Sequence, residues 1–266
     1  MDYVKPGQML ESLIAMGETK SKLSVSQKLV RSGLAGAILG CATTLAYTAS
    51  VQTKIPIAGA VLFPIGFVLI LLLGLELVTG SFAALPLAAL KRRISTGKMV
   101  SCFAWALAGH LIGAGLYAAL YTMAITKMGH DMSNPLVQAV ISAAEGKTSA
   151  YIHIGADGWI LSFVKAVLCN WLVALGAIMS LSSTSTIGKI TAMWMPVLLF
   201  FGQGFEHLIV NMFLLPAGLM LGANYTVADM VLWNWIPVLL GNFAGGAIGT
   251  GLLFYLAHRE RTSEAV

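Results

Sequence analysis

The sequence predicts an all-α integral membrane protein of six transmembrane helices. Three observations carry that prediction. Of its 266 residues, 58% are hydrophobic and 10% charged, where a soluble domain carries about 25% charged residues. The apolar residues fall into a series of runs of membrane-spanning length. The basic residues also sort by side. With the N-terminus placed inside, twelve lysines and arginines lie in inside segments and three (Lys54, Lys127, Lys147) in outside segments. That asymmetry fits the positive-inside rule with both termini in the cytoplasm, and an odd number of spans would spoil it.

The elements follow in order. Residues 1–25 form a cytoplasmic N-terminal amphipathic segment, with Met9, Leu10, Leu13, Ile14 and Met16 on one helix face. It is too short and polar to span and is expected to lie on the membrane surface or pack under the bundle. The segment has charges of both signs and no apolar signal-peptide core, so the first span is expected to direct its own insertion. The pore domain covers 26–258, with repeat halves at about 26–127 and 159–258. Its spans run from about Leu29 to Ser50, Ala58 into the 80s, Met99 to Lys127, Trp159 to Leu181, Ile190 to Gly222 and Trp233 to Ala257. Between the halves, 128–158 is polar, with one short helix near 134–145, and 259–266 is a cytoplasmic tail.

Two spans read as broken. Span 2 holds Gly74, Glu76, Thr79, Gly80, Ser81 and Pro86; span 5 holds Pro196, Gly202, Gly204, Glu206, His207, Asn211 and Pro216. Irregular backbone at membrane depth survives only where protein or a wet cavity surrounds it. The breaks also repeat. Gly74-Leu75-Glu76-Leu77 and Gly204-Phe205-Glu206-His207 are 130 residues apart, and the Gly109–Gly113 and Gly241–Gly245 segments are 132 apart. Three spans repeated after three spans have opposite orientations, the inverted repeat that places a site between the halves.

The chemistry lies in the ionisable residues within these spans. A charge at mid-bilayer costs about 2.5–3.5 kcal/mol even on the lenient insertion scale. His207 follows Glu206 at the span 5 break, with Asn211 one turn later on the same face. Its imidazole can donate a hydrogen bond or a proton; the plainer alternative is a packing histidine. Glu76 and Glu206 would repel an anion and are read as structural acceptors of backbone N–H groups freed at the breaks. Lys165 either snorkels to the interface or attracts anions into an outer vestibule. Thr79 lines a pore loop or caps the second half of span 2. Phe63, Phe67, Phe200 and Phe205 flank the breaks, where apolar rings can form dewetting constrictions. Gly241, Gly245, Gly246 and Gly249 read as close helix contacts. Cys41, Cys102 and Cys169 lie in apolar runs without zinc or redox spacing and read as buried thiols; no metal or cofactor is expected.

Four segments together resemble the formate/nitrite transporter family. Gly204-Phe205-Glu206-His207-Leu208-Ile209-Val210-Asn211-Met212-Phe213 is similar to its GFEHxxxNMF segment. Cys169-Asn170-Trp171-Leu172-Val173, Leu73-Gly74-Leu75-Glu76-Leu77-Val78-Thr79-Gly80, and Leu240-Gly241-Asn242 before Gly245-Gly246 resemble three further signatures, in the family's order. Val78 stands where phenylalanine is usual, Ala174 and Gly176 where cysteine and alanine are, and His110 where asparagine is common. The resemblance implies an aquaporin-like protomer in a homopentamer in the plasma membrane, with one pore per protomer. That pore would carry small monovalent anions: formate, nitrite or hydrosulfide. It implies His207 as the central pore histidine, Asn170 and Thr79 as polar neighbours, and Asn211 as a support of the break. Phe63, Phe67, Leu77, Phe200 and Leu208 would form two apolar constrictions. The family's outer vestibule lysine falls near His153 and Ile154, which are not lysine, so Lys165 would supply that charge instead.

Other classes fit less well. An aquaporin needs two NPA motifs, and the single Asn-Pro, Asn134-Pro135, is followed by leucine. A rhomboid-type protease needs serine in a GxSG setting, which Thr79-Gly80-Ser81-Phe82 does not supply. A cation or ammonium pathway would also suit intramembrane histidines, but no acidic ring is evident apart from Glu76 and Glu206. The net charge of +5 reflects membrane sidedness, not a nucleic-acid surface.

Overall fold

The computed structural model describes residues 2–259; the tail beyond Arg259 lies outside them. The fold is all-helical, and the described residues form no regular strand beyond one isolated bridge between Tyr3 and Ser183. Four helices are long and apolar enough to cross a membrane: α2 (Val25–Thr53), α5 (Thr96–Ile125), α8 (Ala156–Met179) and α11 (Val227–His258). Four shorter apolar helices come in pairs: α3 (Pro56–Leu72) with α4 (Val78–Leu90), and α9 (Thr186–Gly202) with α10 (Leu208–Met220). Between the pairs come α6 (Pro135–Glu145) and α7 (Ser149–His153), and α1 (Pro6–Ser21) precedes them all.

Each pair is separated by five non-helical residues at the repeated glycine. Gly74 and Gly204 both turn through the left-handed region, at φ +63° and +65°, which an L side chain rarely adopts. The chain thereby ends one helix and starts the next in the protein interior, at Val78 or Leu208, both buried.

Small residues set how closely the long helices approach. A Cβ added at Gly113 would collide with the Gly33 carbonyl, and one at Gly241 or Gly245 would meet Phe163 or Val167 backbone. These are the close contacts expected where apolar side chains supply no driving force between helices in lipid. Cys102 and Cys169 are buried as expected, but Cys41 is exposed on the outer face of α2; an apolar run in lipid has a lipid side as well as a core side.

The N-terminal helix packs under the bundle. Met9, Leu10, Leu13 and Ile14 are buried against Ala84, Leu87 and Ile178. Gly17 permits this contact: a Cβ there would run into the Ala84 carbonyl of α4. Gly17→Val is therefore expected to lift α1 from α4, seen as faster amide exchange across 6–21 in the purified protein. Unchanged protection would remove this packing from the account.

The repeat reaches further than the spans. Pro6 and Pro135 each open the helix that precedes a half, 129 residues apart, so α6 is the counterpart of α1.

Candidate functional site

Starting a helix in the interior frees backbone N–H groups that water cannot satisfy. Side chains from other helices satisfy them here. Val78 N–H donates to His110 Nε2 at 3.1 Å, and Leu208 N–H donates to Asn242 Oδ1 at 2.9 Å. His110 and Asn242 occupy equivalent places, and both are fully buried. Asn242 also donates to the carbonyls of Ala166 (2.8 Å) and Glu206 (2.9 Å), tying the second break to α8. Replacing His110 with leucine leaves Val78 N–H without its acceptor and is expected to destabilise by about 1–3 kcal/mol. His110→Asn keeps an acceptor of the kind Asn242 provides, so its melting temperature stays near wild type. Equal losses in the two variants would contradict this capping role.

The glutamates do not have the partners expected for them. They accept from side chains instead of from freed backbone N–H groups, because capping by His110 and Asn242 leaves the carboxylates available. Glu206 is 1% exposed and forms an ion pair with Lys147 at 2.9 Å. It also accepts from Tyr151 Oη (2.7 Å) and from Asn211 Nδ2 (2.7 Å). Asn234 supports this cluster from α11, accepting from Asn211 (2.8 Å) and donating to the Lys147 carbonyl (2.9 Å). Glu76 is paired with Lys20 at 3.1 Å, and Lys20 also donates to Ser81 Oγ at 2.7 Å. Ser81 in turn donates to Glu76 at 2.5 Å. The two clusters are counterparts: Ser81 and Asn211 are 130 residues apart, and Lys20 and Lys147 are 127 apart. Each lysine comes from α1 or from just after α6, the repeated pair of helices.

Between the clusters lies His207. Its Nδ1 accepts from Val210 N–H at 3.3 Å, which places the ring proton on Nε2, 3.0 Å from Thr79 Oγ1. Thr79 is thus not the cap of α4; that place belongs to Leu77. With Nε2–H donated to it, Thr79 keeps its own hydroxyl proton to give away. Asn170 holds the Thr79 carbonyl at 3.0 Å and the Asn242 carbonyl at 2.7 Å, so one amide links the first turn of α4 to α11, whose Asn242 caps α10. The repeat is asymmetric at this point, since the counterpart of His207 is Leu77.

Phenyl rings pack beside this contact. Phe200 stacks on His207 with centroids 5.6 Å apart, and Phe63 meets Phe200 edge-on at 5.7 Å. Phe67 packs close to Gly176 of α8, and Leu77 and Leu208 flank the starts of α4 and α10. All five apolar residues are buried. Lys165 is partly buried, with its Nζ 5.8 Å from the Tyr151 ring centroid and its carbonyl facing Glu206 N–H. It borders the Glu206 cluster, but Lys147 holds the carboxylate. Lys20 and Lys147 are the functional candidates that local sequence patterns miss; the spacing of Pro6 and Pro135 is the signal that could have found them.

A cavity of about 310 Å³ opens beside the Glu76 cluster, lined by Lys20, Arg31, Glu76, Lys189, Leu71 and Met193 among others. Three cations against one carboxylate favour an anion there.

Apolar helices of membrane length around a buried polar line define a multi-pass membrane protein of the transporter and channel class. The family model for the formate/nitrite transporter matches residues 7–256. A probable formate transporter of Methanothermobacter thermautotrophicus is 31% identical, over 96% of this chain and 97% of that protein. A solved "FNT family ion channel" superposes with TM-score 0.80 at 26% identity, over 94% of this chain and 98% of that one. A solved "pentameric formate channel with formate bound" shares the fold, with TM-score 0.72 at 23% identity, over 89% and 98%. The chain belongs to the formate/nitrite transporter family.

Proposed function

We propose that this protein conducts small monovalent anions, formate or nitrite and by the same chemistry hydrosulfide, through a pore in each protomer of a homopentamer. The observation that carries this reading is the His207–Thr79 contact, enclosed by apolar rings and set between two lysine–carboxylate clusters. The α3–α4 and α9–α10 pairs each serve as one interrupted span, giving six spans in the plasma membrane with both termini in the cytoplasm. This reading keeps the expected domains: a cytoplasmic N-terminal segment over 1–25, the pore domain over 26–258 and a cytoplasmic tail over 259–266.

The mechanism follows from charge and hydration. An anion loses water at an apolar ring, at a cost that nothing there offsets. Lys20, Arg31 and Lys189 raise its concentration at one mouth, and Lys147 and Lys165 do so at the other. At the centre, the Nε2–H of His207 and the Thr79 hydroxyl are two donors at one point. Asn170 holds the Thr79 carbonyl and Asn211 holds the Glu206 carboxylate next to His207, while Phe63, Phe67, Leu77, Phe200 and Leu208 exclude water and larger solutes. A proton on His207 must go to Nδ1, breaking its contact with Val210 and setting a cation at the N-terminus of α10, where the helix dipole opposes it. An anion beside the ring supplies the counter-charge, so protonation and anion occupancy assist each other.

Reconstitution in liposomes tests the reading. Uptake of formate, nitrite and hydrosulfide with exclusion of sodium and potassium is the expected result, and the relative rates rank the anions. Cation flux with none of the three anions entering would overturn it and return the cation pathway. The relatives named above are a transporter and channels, consistent with a protein that performs no covalent chemistry.

A further inference from the structure

A second cavity, about 250 Å³, lies away from the polar line, where the first turns of α1 meet the ends of α4 and α11. Lys91, Tyr255, His258 and Arg259 line it, with Leu10 and Glu11 from α1. Lys91 Nζ sits 4.7 Å from the Tyr255 ring centroid, and the Arg259 guanidinium carbon 5.8 Å from the same ring. Two cations therefore converge on one aromatic ring. Both stand at helix C-termini, which favours a cation by itself, but among the described residues neither they nor Glu11 form an ion pair. Leu90 beside Lys91, and Leu253 and Leu256 within two helical turns of Arg259, are 54%, 49% and 48% exposed. In a membrane protein such side chains face acyl chains.

We propose that this cavity binds the phosphate of an anionic membrane lipid, with Lys91, His258 and Arg259 as its donors and the acyl chains along Leu90, Leu253 and Leu256. Basic pockets at the ends of membrane helices take lipid phosphates by this charge pairing. A free phosphate ion shares the chemistry but would leave the adjoining apolar rim without a role. The consequence reaches the pore. The bound lipid joins α1 to the ends of α4 and α11, and the far end of α1 carries Lys20, which holds Glu76. Lipid occupancy thus fixes the helix that supplies one mouth's cation. The inference rests on the membrane setting alone and not on which ion the pore carries.

Native mass spectrometry of the purified full chain, titrated with phosphatidylglycerol or phosphatidylcholine, tests it. Wild type is expected to retain phosphatidylglycerol in preference to phosphatidylcholine. The Lys91→Gln/Arg259→Gln variant should lose that preference by roughly tenfold or more, from two removed phosphate contacts. Arg92→Gln/Arg93→Gln, which removes the same charge outside the cavity, should keep it. Glu11→Gln keeps both cations and removes the one lining carboxylate, so it should bind phosphatidylglycerol more tightly, and it serves if the double variant does not fold. Equal retention of the two lipids, an unaffected Lys91/Arg259 variant, or weaker binding by Glu11→Gln would overturn the site. Inorganic phosphate that raises the wild-type melting temperature as far as phosphatidylglycerol does would assign the cavity to the free ion and overturn the lipid source.

Discussion

Lys147→Met is expected to destabilise the protein by about 3–5 kcal/mol, the range for breaking a buried ion pair from one side. Glu206 is 1% exposed, and its only cationic partner among the described residues is Lys147. Removing the lysine leaves a carboxylate that Tyr151 and Asn211 still bond but no longer neutralise. Methionine keeps the length and apolar stem of the side chain, so the loss reports charge. The counterpart pair is milder. Lys20 and Lys147 are equally exposed at 18%, but Glu76 keeps 7% of its side chain exposed against 1% for Glu206, so water screens more of its charge, and Glu76→Gln should cost less than Lys147→Met. Thermal unfolding of the detergent-purified variants checks the order. A Lys147→Met variant as stable as wild type would mean that Glu206 is neutral in the folded protein. A Glu76→Gln variant that folds normally yet prefers cations would move Glu76 from structure to selectivity.

His207→Leu is expected to lower anion flux by roughly 10- to 100-fold. A hydrogen bond to a charged group is worth about 1.5–3 kcal/mol, and each 1.36 kcal/mol of barrier is tenfold in rate. Leucine matches the counterpart position, Leu77, and keeps the ring-lined path apolar. It removes the Nε2–H that faces Thr79 and the Nδ1 acceptor of Val210. The Val210 N–H lies in the first turn of α10, so some stability goes too, and flux must be compared at equal folded protein. Stopped-flow uptake in liposomes measures it. Flux within twofold of wild type would place the energetic centre of the pore elsewhere.

Much of this architecture is legible in the sequence because the bilayer imposes simple patterns. Apolar runs of fixed length, basic residues on one side and a glycine–x–glutamate repeat do not depend on tertiary detail. The short helix expected near 134–145 is Pro135–Glu145, and the turns between the paired short helices fall at the repeated Gly74 and Gly204. What the sequence hides is partnership across distance. Glu206 is 59 residues from Lys147, and Glu76 is 56 from Lys20; no local pattern links them. The freed N–H groups are capped by His110 and Asn242 from the next spans, so the glutamates that seemed suited to that task serve the lysines instead. The tautomer of His207 is equally non-local in effect: one backbone N–H on α10 decides which nitrogen faces α4.

The central claim is that His207 joins anion occupancy to protonation, and formate uptake across external pH, in liposomes holding wild type or His207→Asn, tests it most directly. Asparagine carries a donor and an acceptor but no titrating group. The account predicts wild-type uptake that rises as pH falls and a variant that conducts at a rate nearly independent of pH. Parallel pH profiles for the two proteins would contradict it and assign the proton to the permeating acid.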